Sequence, residues 1–311
     1  MQEVIKAPAP FSLSAVIRSH GWVQLAPFQR TQDGNAFTYV GQLASGRVVS
    51  WSISSPAQKV AIGNEVDIVI DLPDGLSPDD ITEMRQRVRW MLGLDLDLSG
   101  FYAAARNEPK LAHVETGAHG RLLRSASLFE DVVKTILTTN TTWSGTKRMV
   151  SALVTGFGAP LPVDGAPNIR YAFPTPEALA AADADVLRNE VKLGYRAPYI
   201  AELAHAVAGG DLDLEALKDE ELPTPELRKR LLAIKGVGSY AAANLLLLLG
   251  HYDYVPVDSW AVKLVGHEWH NGEAASPVQV EEAFADWGAW KGLAFWFWKW
   301  NYHEDEASSE L

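Results

Sequence analysis

The sequence predicts an α+β protein, with an antiparallel β-sheet at the N-terminus and an all-helical body after it. Segments rich in β-branched and aromatic residues, separated by turn residues, occupy the region from about residue 11 to residue 71. Apolar residues at helical spacing dominate the remainder, and no convincing strand pattern follows residue 110. We therefore expect a sheet domain with one helix at residues 1–110 and a helical domain at residues 111–311.

Three segments carry the sheet prediction. They read "AFTYVGQL", "GRVVSWSIS" and "EVDIVIDL", and the short stretches "ASG" and "GN" between them supply turn residues. Their composition is typical of strands that pair with their neighbours through tight turns. An antiparallel arrangement follows from such short connections.

A helix is expected where the strand-rich region ends, in "LSPDDITEMRQRVRWMLGL". Ser77 fits the N-cap and Pro78 the first helical position, where the missing amide hydrogen costs nothing. Asp79 and Asp80 place acidic side chains in the first turn, which is typical of a helix start.

The region after residue 110 repeats such start signals. In "SLFEDVVKTILTTN", Ser127 and Glu130 fit a capping box ahead of apolar residues at helical spacing. Thr175 and Thr224 each precede Pro-Glu, and Ser276 precedes proline, so each is predicted to cap a helix whose first residue is proline. The body is therefore predicted to be helical throughout.

Composition excludes several classes of site. The chain has 311 residues and no cysteine, which rules out disulfides, thiolate zinc sites, cysteine-ligated iron–sulfur clusters and cysteine nucleophiles. We see no secretory signal, and the longest apolar runs are too short to span a bilayer. We expect a cytoplasmic, monomeric protein with no membrane partner. A net charge of −12 argues against a broadly basic nucleic-acid coat but allows a local basic face, as in "LRKRLLAIKG".

The segment "IKGVGSYAAANLLLLLGHYDYVPVDSW" contains a glycine turn with two interpretations. Gly236, Gly238 and Ala241 fit the dinucleotide fingerprint G-x-G-x-x-A, with Asp258 as a ribose-binding acid. That fingerprint requires a buried parallel strand before it, and the preceding "ELRKRLLAIK" carries three consecutive cations. Such a run cannot lie in a strand buried on both faces. The dinucleotide site is therefore disfavoured.

The same stretch makes sense as a helix. Leu227, Leu231 and Ile234 then share one side and the cations lie on the other. Glycines allow positive φ and close backbone approach at the turn, and a second helix starts near Ser239 with its first amides facing outward. This makes an anion site suited to a phosphodiester. A plain helical hairpin, in which the glycines only cap and turn, stays open as the alternative.

Four segments together carry a resemblance to a known family. "LLAIKGVGSYAAANLLLLLG" followed by "VPVDSW" resembles the hairpin and aspartate of the helix–hairpin–helix (HhH-GPD) superfamily of DNA glycosylases. "SLFEDVVKTILTTNTT" looks like its first core helix, "KLGYRAPYIAELAHAV" is similar to 8-oxoguanine DNA glycosylases, and "DWGAWKGLAFWFW" is similar to the 3-methyladenine type. Both branches also carry an N-terminal sheet, so the resemblance spans nearly the whole chain.

The resemblance implies roles for three residues in the C-terminal part. Asp258 lies at the position of the family's aspartate, which stabilises the positively charged sugar and orients water. A helix N-cap is the alternative for Asp258, and the two roles are compatible. Base-excising lyases of the superfamily place a lysine where this chain has Tyr240, which implies a monofunctional enzyme. Trp260 is the aromatic residue we expect nearest the base pocket.

Contacts with DNA are also implied. Asn140 matches the residue that replaces the flipped nucleotide, although a helix C-terminal cap is an equal alternative. Tyr195 and Arg196 match residues that wedge beside and contact the orphaned base in 8-oxoguanine enzymes. The other DNA contacts are expected in the hairpin, at Lys235, Gly236, Val237, Gly238, Ser239 and Tyr240. Gly145 and Trp260 depart from the arginine and histidine of the 8-oxoguanine branch.

Side chains suggest no further cofactor. His267 and His270 are spaced for one helix face but lack a visible third ligand, so we interpret them as surface or core residues. In the family the hairpin can hold a sodium or potassium ion through backbone carbonyls, here those of Leu232, Ile234 and Val237. Aromatic residues near the C-terminus have two interpretations, core packing or stacking on an alkylated base: Trp287, Trp290, Trp296, Trp298 and Trp300.

The sequence therefore predicts a monofunctional DNA glycosylase that flips and excises a damaged base, an alkylated purine, from double-stranded DNA in base-excision repair. Two alternatives are kept. One is an 8-oxoguanine-type glycosylase, which the "GYRAPY" motif favours. The other is a catalytically silent DNA-binding protein that has retained the hairpin, which the presence of Asp258 disfavours.

Overall fold

The computed structural model describes residues 1–56, 65–161 and 169–301. The chain forms two compact units, each built from two segments. The sheet unit comprises Met1–Asp95 and Arg121–Asp219, and the hairpin unit comprises Leu96–Gly120 and Glu220–Leu311. These units are defined by packing, whereas the division predicted at residue 110 follows the change from strand-rich to helical sequence and stays a prediction about domains.

The sheet has five antiparallel strands in the order β1-β5-β4-β3-β2. Their bounds are β1 Gln2–Ala7, β2 Gln29–Arg30, β3 Phe37–Gln42, β4 Val48–Ser54 and β5 Val66–Asp71. In β4 and β5 every second residue is buried, so one face of the sheet covers the core. The α+β class and the three predicted strands are confirmed, and in the described residues no strand follows β5.

The strand-rich region is narrower than predicted at its start. Residues 11–28 hold a short helix, α1 (Leu13–Ile17), and a 3-10 turn, Gly21–Gln24, instead of strands. The edge strand β1 was not predicted, because only Ile5 and Ala7 of its residues are buried and its apolar pattern is weak. β1 is a strand because it pairs with β5, although its own sequence does not indicate a strand.

The helices of the sheet unit are α1, α2 (Pro78–Met91), α5 (Leu128–Thr138), α6 (Trp143–Phe157), α7 (Pro176–Ala180) and α8 (Ala197–Ala208). Those of the hairpin unit are α3 (Ser99–Ala105), α4 (His113–Thr116), α9 (Thr224–Leu232), α10 (Ser239–Leu249), α11 (Ser259–Trp269), α12 (Pro277–Ala283) and α13 (Lys291–Phe297). The predicted caps Ser77, Thr175 and Ser276 are confirmed, since each side chain accepts the expected backbone amide.

Two start signals work differently from the prediction. Ser127 caps α5 by accepting the Glu130 amide at 3.2 Å, but the Glu130 carboxylate does not complete the capping box. It turns into the core, where it accepts the Tyr39 hydroxyl and lies 2.6 Å from Lys134 Nζ. Thr224 is the first residue of α9 rather than its N-cap, and its hydroxyl contacts His251 and Asp253.

Helix α5 carries buried charges through the core of the sheet unit. Glu130, Asp131 and Lys134 are almost completely buried. Asp131 Oδ1 accepts the Trp22 indole at 2.7 Å and the Ser125 amide at 2.9 Å. Burial of this kind costs free energy unless the charges are paired and hydrogen-bonded. These contacts tie the start of α5 to the N-terminal segment.

In the described ranges, no helix has the length and apolar character needed to cross a bilayer.

Candidate functional site

The glycine turn joins two helices in the hairpin unit. Helix α9 ends at Leu232 and α10 begins at Ser239, with Gly238 as its N-cap. Leu227 and Leu231 of α9 are buried, whereas Lys229 and Arg230 are exposed. The helix before the turn, predicted from its cation run, is confirmed. It excludes the dinucleotide fingerprint, which needs a strand there.

The two glycines of the turn have different conformations. Gly236 has φ +88°, a left-handed conformation that glycine adopts without the strain that a Cβ brings. Gly238 has φ −89° and ψ −175°, which any residue adopts, so of the two properties that glycine allows at the turn only close backbone approach applies to Gly238. A Cβ built at Gly238 meets nothing within 4 Å. The turn is therefore open at Gly238, and a ligand can approach its backbone closely.

The residues around the turn form a polar surface at the start of α10. Lys235, Gly238 and Ser239 are exposed, Gly236 and Tyr240 are half-buried, and Val237 is buried. Because the first amides of a helix have no carbonyl partner within it, they face the exposed turn at the positive end of the helix dipole. This arrangement can bind an anion such as a phosphodiester.

The carbonyls predicted to hold a monovalent cation lie at the end of α9 and in the turn. Helix α9 ends at Leu232, beyond which the carbonyls are outside the regular helical ladder. The Ile234 carbonyl accepts the Val237 amide at 3.0 Å and retains a second lone pair. Carbonyl oxygens of Leu232, Ile234 and Val237 are the groups we would expect to hold sodium or potassium, and this site stays a prediction.

A buried loop connects α10 to Asp258. Tyr252, Val255 and Pro256 are buried. The Val255 amide donates to Glu281 of α12 at 3.3 Å, and the Gly292 amide donates to the Tyr252 carbonyl at 2.7 Å. The loop is thus fixed from two sides before the chain emerges at the surface.

Asp258 is exposed and caps helix α11. Its Oδ1 accepts the Ala261 amide at 2.7 Å, which confirms the cap predicted as one of its roles. In the described part of the chain, Oδ2 accepts no hydrogen bond. One oxygen therefore orients the carboxylate, and the other can face a reacting sugar or water.

A cavity of about 500 Å³ lies beside the start of α10. Its lining includes Ser239, Tyr240 and Val257. Asp258 and Trp260 are outside its lining, and Trp260 is half-buried in the first turn of α11. The role of Trp260 beside a base stays a prediction.

Asn140 lies in the sheet unit, just after helix α5. It is exposed and has φ +48°, a conformation that few residues other than glycine adopt. Helix α5 ends at Thr138, and the chain turns at Asn140 before Thr142 caps α6. The side chain of Asn140 donates from Nδ2 to the Tyr195 hydroxyl at 3.2 Å. The structure therefore brings together two residues that were predicted to enter the duplex.

Tyr195 and Arg196 have different environments. Tyr195 is 50% exposed. Its burial opposes ionisation, but hydrogen bonds from Asn140 and Thr139 and the charge of Arg196 outweigh this and lower the pKa of Tyr195. Arg196 is only 6% exposed. Its Nη2 donates to the Thr139 and Asn140 carbonyls, and the predicted contact of Arg196 with a base stays a prediction.

The C-terminal aromatic residues pack mainly on one another. Trp298 and Trp300 contact Phe284 and Trp269 with ring centroids 5.5–6.0 Å apart, and Trp290 stacks on Tyr252 at 5.6 Å. These contacts favour core packing, one of the two interpretations predicted for them. In the described ranges no group of three or more His, Cys, Asp or Glu side chains has metal-binding geometry.

The sequence did not reveal two groups near the hairpin. Thr224 Oγ1 lies 2.9 Å from His251 Nδ1 and 2.7 Å from Asp253 Oδ2, which ties the start of α9 to the end of α10. Arg228 and Lys291 lie over the Tyr254 ring, at 4.8 and 5.9 Å from its centroid, beside Ser239 in the cavity. Arg228 could have been inferred from the run of cations in α9, whereas no sequence pattern indicates a role for Lys291.

Comparison of the sequence with family models gives one match. The model described as HhH-GPD superfamily base excision DNA repair protein matches residues 133–289, half of the chain. The matched segment begins within α5 and contains Asn140, Tyr195, the hairpin and Asp258.

Solved structures with a similar fold include enzymes named for two kinds of damaged base. MBOgg1, in complex with a low-affinity DNA ligand, is 25% identical with a TM-score of 0.72, over 95% of this chain and 93% of its own. The 3-methyladenine DNA glycosylase from Archaeoglobus fulgidus is 22% identical with a TM-score of 0.74, over 95% and 97%. The apo 8-oxoguanine glycosylase/lyase from Clostridium acetobutylicum is 22% identical with a TM-score of 0.71, over 95% and 94%.

Proposed function

Because the chain belongs to the HhH-GPD superfamily of base excision DNA repair proteins, we propose that it is a monofunctional DNA glycosylase acting on double-stranded DNA. Its substrate is an alkylated purine, which it releases by hydrolysis of the N-glycosidic bond. The relatives described above, which include enzymes named as 3-methyladenine and 8-oxoguanine glycosylases, support an activity of this class.

The exposed carboxylate of Asp258 is the observation that carries this proposal. Bond cleavage develops positive charge on the sugar, and a fixed carboxylate beside it stabilises that charge. Asp258 meets the requirement for a fixed group because the Ala261 amide holds one of its oxygens. It also belongs to the same compact unit as the hairpin that would bind the DNA backbone.

Water is the nucleophile in the proposed reaction. Its oxygen forms the new bond to C1′ and gives up one proton to the Asp258 carboxylate, the C1′–N bond breaks, and the base leaves with the bonding electrons. The side chain at the position of the lyase lysine is Tyr240, whose phenol cannot form a Schiff base. Lys235 lies before the turn and is exposed, which suits a phosphate contact instead.

An alkylated purine fits the residues better than 8-oxoguanine does. Alkylation makes the purine cationic and weakens its glycosidic bond, so few specific hydrogen bonds are needed for its release. Gly145 stands where an arginine would be expected for 8-oxoguanine, and a Cβ there would lie 2.3 Å from Thr141 Oγ1. This crowding disfavours a larger side chain at that position.

An 8-oxoguanine-specific enzyme is the second candidate. The Tyr195–Arg196 pair favours it by sequence. The burial of the Arg196 guanidinium weighs against it, because the matching residue of 8-oxoguanine enzymes contacts the orphaned base, whereas Arg196 donates to backbone carbonyls of its own chain.

Single-turnover excision assays test this function. Duplexes carrying 3-methyladenine, 1,N6-ethenoadenine, hypoxanthine, uracil or 8-oxoguanine are compared at equal enzyme, and we expect an alkylated purine to be released faster than 8-oxoguanine opposite cytosine. Asp258→Asn should slow excision by at least about 100-fold, since a charge-stabilising group is lost in the transition state. Binding to abasic-site DNA should change by no more than about threefold, because the contact acts mainly in that state.

A matched control separates catalysis from folding. Asparagine is as good an N-cap as aspartate, so Asp258→Asn keeps the start of α11. Asp286→Asn removes an exposed carboxylate in the 3-10 helix Ala285–Trp290 and should leave excision unchanged. Normal excision by Asp258→Asn would refute the catalytic assignment. DNA binding by the wild type without excision of any lesion would favour the silent DNA-binding protein.

A further inference from the structure

The turn between helices α5 and α6 needs an external support. Asn140 has φ +48°, a left-handed conformation that asparagine tolerates better than most residues with a Cβ but that still costs free energy. Its own side chain is exposed and points to Tyr195, not back to the turn. The left-handed conformation therefore depends on contacts made by the backbone of this segment.

Arg196 supplies those contacts from inside the sheet unit. Its Nη2 donates to the Asn140 carbonyl at 3.1 Å and to the Thr139 carbonyl as well. Its Nη1 lies 4.0 Å from Met149 Sδ on helix α6. One guanidinium thus holds two successive carbonyls, which fixes the orientation of both peptide planes at the turn.

The same guanidinium also orders the exposed tyrosine. Arg196 Cζ lies 4.4 Å from the centroid of the Tyr195 ring, and this ring covers the guanidinium from solvent. The Tyr195 hydroxyl accepts Asn140 Nδ2, which closes a ring of contacts among the three residues. The Asn140 and Tyr195 side chains form the exposed part of this group, and the charged guanidinium of Arg196 is buried.

We propose that Arg196 is a positioning residue that holds Asn140 and Tyr195 together at the surface before DNA binds. The inference rests on the proposed function and on the roles that the family resemblance implies for these two side chains, with Asn140 replacing the flipped nucleotide and Tyr195 wedging beside the orphaned base. It assigns Arg196 to the turn and not to the base opposite the lesion. Its loss should therefore affect every opposite base alike, because the support of the turn does not depend on which base is present.

The test uses the opposite base as its readout. Single-turnover release of the alkylated purine that the wild type releases fastest is measured opposite cytosine, thymine, adenine and guanine for the wild type and for Arg196→Met, a substitution of similar length without donors. We expect Arg196→Met to slow release about tenfold with all four bases, by the same factor. A rate equal to that of the wild type, or a loss confined to one opposite base, would overturn the proposal.

Two further variants keep the result interpretable if Arg196→Met folds poorly. Arg196→Lys retains a charged donor but not the rigid planar group that fixes its position, so its rate should lie between those of the wild type and the methionine variant. Arg188→Met removes an exposed arginine of the same unit and should behave as the wild type. Hydrogen exchange should rise around residues 138–145 in both Arg196 variants and stay unchanged elsewhere in the sheet unit. A lysine variant with wild-type rates and exchange would contradict the proposal.

Failure of the proposed function is distinguishable in the same experiment. Binding is measured with a duplex that holds a tetrahydrofuran abasic analogue opposite 2-aminopurine, whose fluorescence reports unstacking and needs no excision. If the wild type binds this duplex but releases no base from any of the lesion-containing duplexes, only the glycosylase activity is refuted. The inference about Arg196 is then decided by the fluorescence change, which Arg196→Met should reduce at saturating protein if the inference holds.

Discussion

The two glycines of the hairpin illustrate how one motif combines two physical requirements. Gly236 is needed for its positive φ, and Gly238 is needed for the open space in front of its backbone. The first requirement concerns folding and the second concerns what approaches from outside. Substitution by alanine separates the two.

We expect Gly238→Ala to lower DNA affinity about tenfold, because a methyl group would occupy the space of a bound phosphate. Stability should change by less than about 1 kcal/mol, since the less favourable cap and the less flexible unfolded chain oppose each other. Gly236→Ala should also lower affinity but cost about 1–3 kcal/mol of folding free energy, since alanine is strained at φ +88°. Thermal unfolding and fluorescence anisotropy with abasic-site DNA measure the two effects.

Gly156 provides the control for these substitutions. It lies in helix α6, and a Cβ there also meets nothing within 4 Å. Gly156→Ala should keep wild-type affinity and raise stability slightly, as expected for a glycine in a helix interior. If Gly238→Ala binds DNA as tightly as Gly156→Ala, the phosphate does not lie against Gly238.

Tyr240 leads to a prediction about strand cleavage. Because a phenol forms no imine with the sugar, borohydride added during turnover should trap no covalent complex between protein and DNA. Denaturing gel electrophoresis of the reaction, beside a glycosylase with known lyase activity, detects such a complex. A strong trapped band would show that another amine attacks C1′, and the monofunctional assignment would be wrong.

At the scale of elements, Asp131 of helix α5 and His20 of the N-terminal segment have proton affinities shifted in opposite directions. Burial raises the pKa of Asp131 to about 6, despite hydrogen bonds from Ser125 and Trp22. Burial also lowers the pKa of His20 to about 4, and the charge of Lys134 adds to this effect. His20 Nε2 lies 2.6 Å from the Leu123 carbonyl and must donate to it, because a carbonyl only accepts.

These two shifts affect stability in opposite senses over the same pH range. The folded Asp131 binds its proton more tightly than an ordinary carboxyl with a pKa of 3.8, so its contribution to stability is lost as the pH rises towards 6. The folded His20 binds its proton less tightly than an ordinary imidazole with a pKa of 6.5, so stability is lost as the pH falls towards 4. In the wild type the two effects nearly cancel.

Single substitutions should reveal each effect. His20→Gln keeps a donor for Leu123 and leaves Asp131 uncompensated, so its stability at pH 4.5 relative to pH 7 should exceed that of the wild type by about 2 kcal/mol. Asp131→Asn keeps the acceptor for Trp22 and leaves His20 uncompensated, so the same difference should fall by about 2 kcal/mol. Urea unfolding at the two pH values measures the differences. A change of the same sign in both variants would contradict the opposite pKa shifts of His20 and Asp131.

Local patterns predicted the elements that depend on local structure. Strands β3, β4 and β5 and the caps at Ser77, Thr175 and Ser276 follow from residues adjacent in sequence. Thr224 has the same Thr-Pro-Glu signal as Thr175, yet its hydroxyl contacts His251 and Asp253 instead. Tertiary partners of this kind cannot be read from a local pattern.

The candidate site was predictable to a similar extent. The glycine turn, its flanking helices and the cap at Asp258 could all be inferred from sequence, because each depends on a short segment. The direction of the Arg196 side chain could not, since it depends on carbonyls that are distant in sequence. Its burial supports the positioning role proposed for it.

At the scale of the whole molecule, charge must be distributed unevenly for the proposed function. The net charge is −12, so attraction to DNA depends on local cations near the hairpin and not on the overall charge. We expect Lys235→Ala to weaken binding equally for all sequences and to reduce the slope of log affinity against log salt by about 0.9, as for one phosphate contact. Anisotropy titrations at several salt concentrations measure this slope, and an unchanged slope would show that Lys235 faces away from DNA.

The two-segment construction of each compact unit has a consequence for cutting the chain. The polypeptide passes between the units at residues 95/96, 120/121 and 219/220. A single protease cut at the last of these would leave fragments that still share the hairpin unit, where Lys110 pairs with Glu268 at 2.6 Å and Phe101 contacts Trp290. The two fragments of such a nicked chain should co-purify as one complex. The same two fragments, expressed separately, should reassemble, as the halves of a split reporter do.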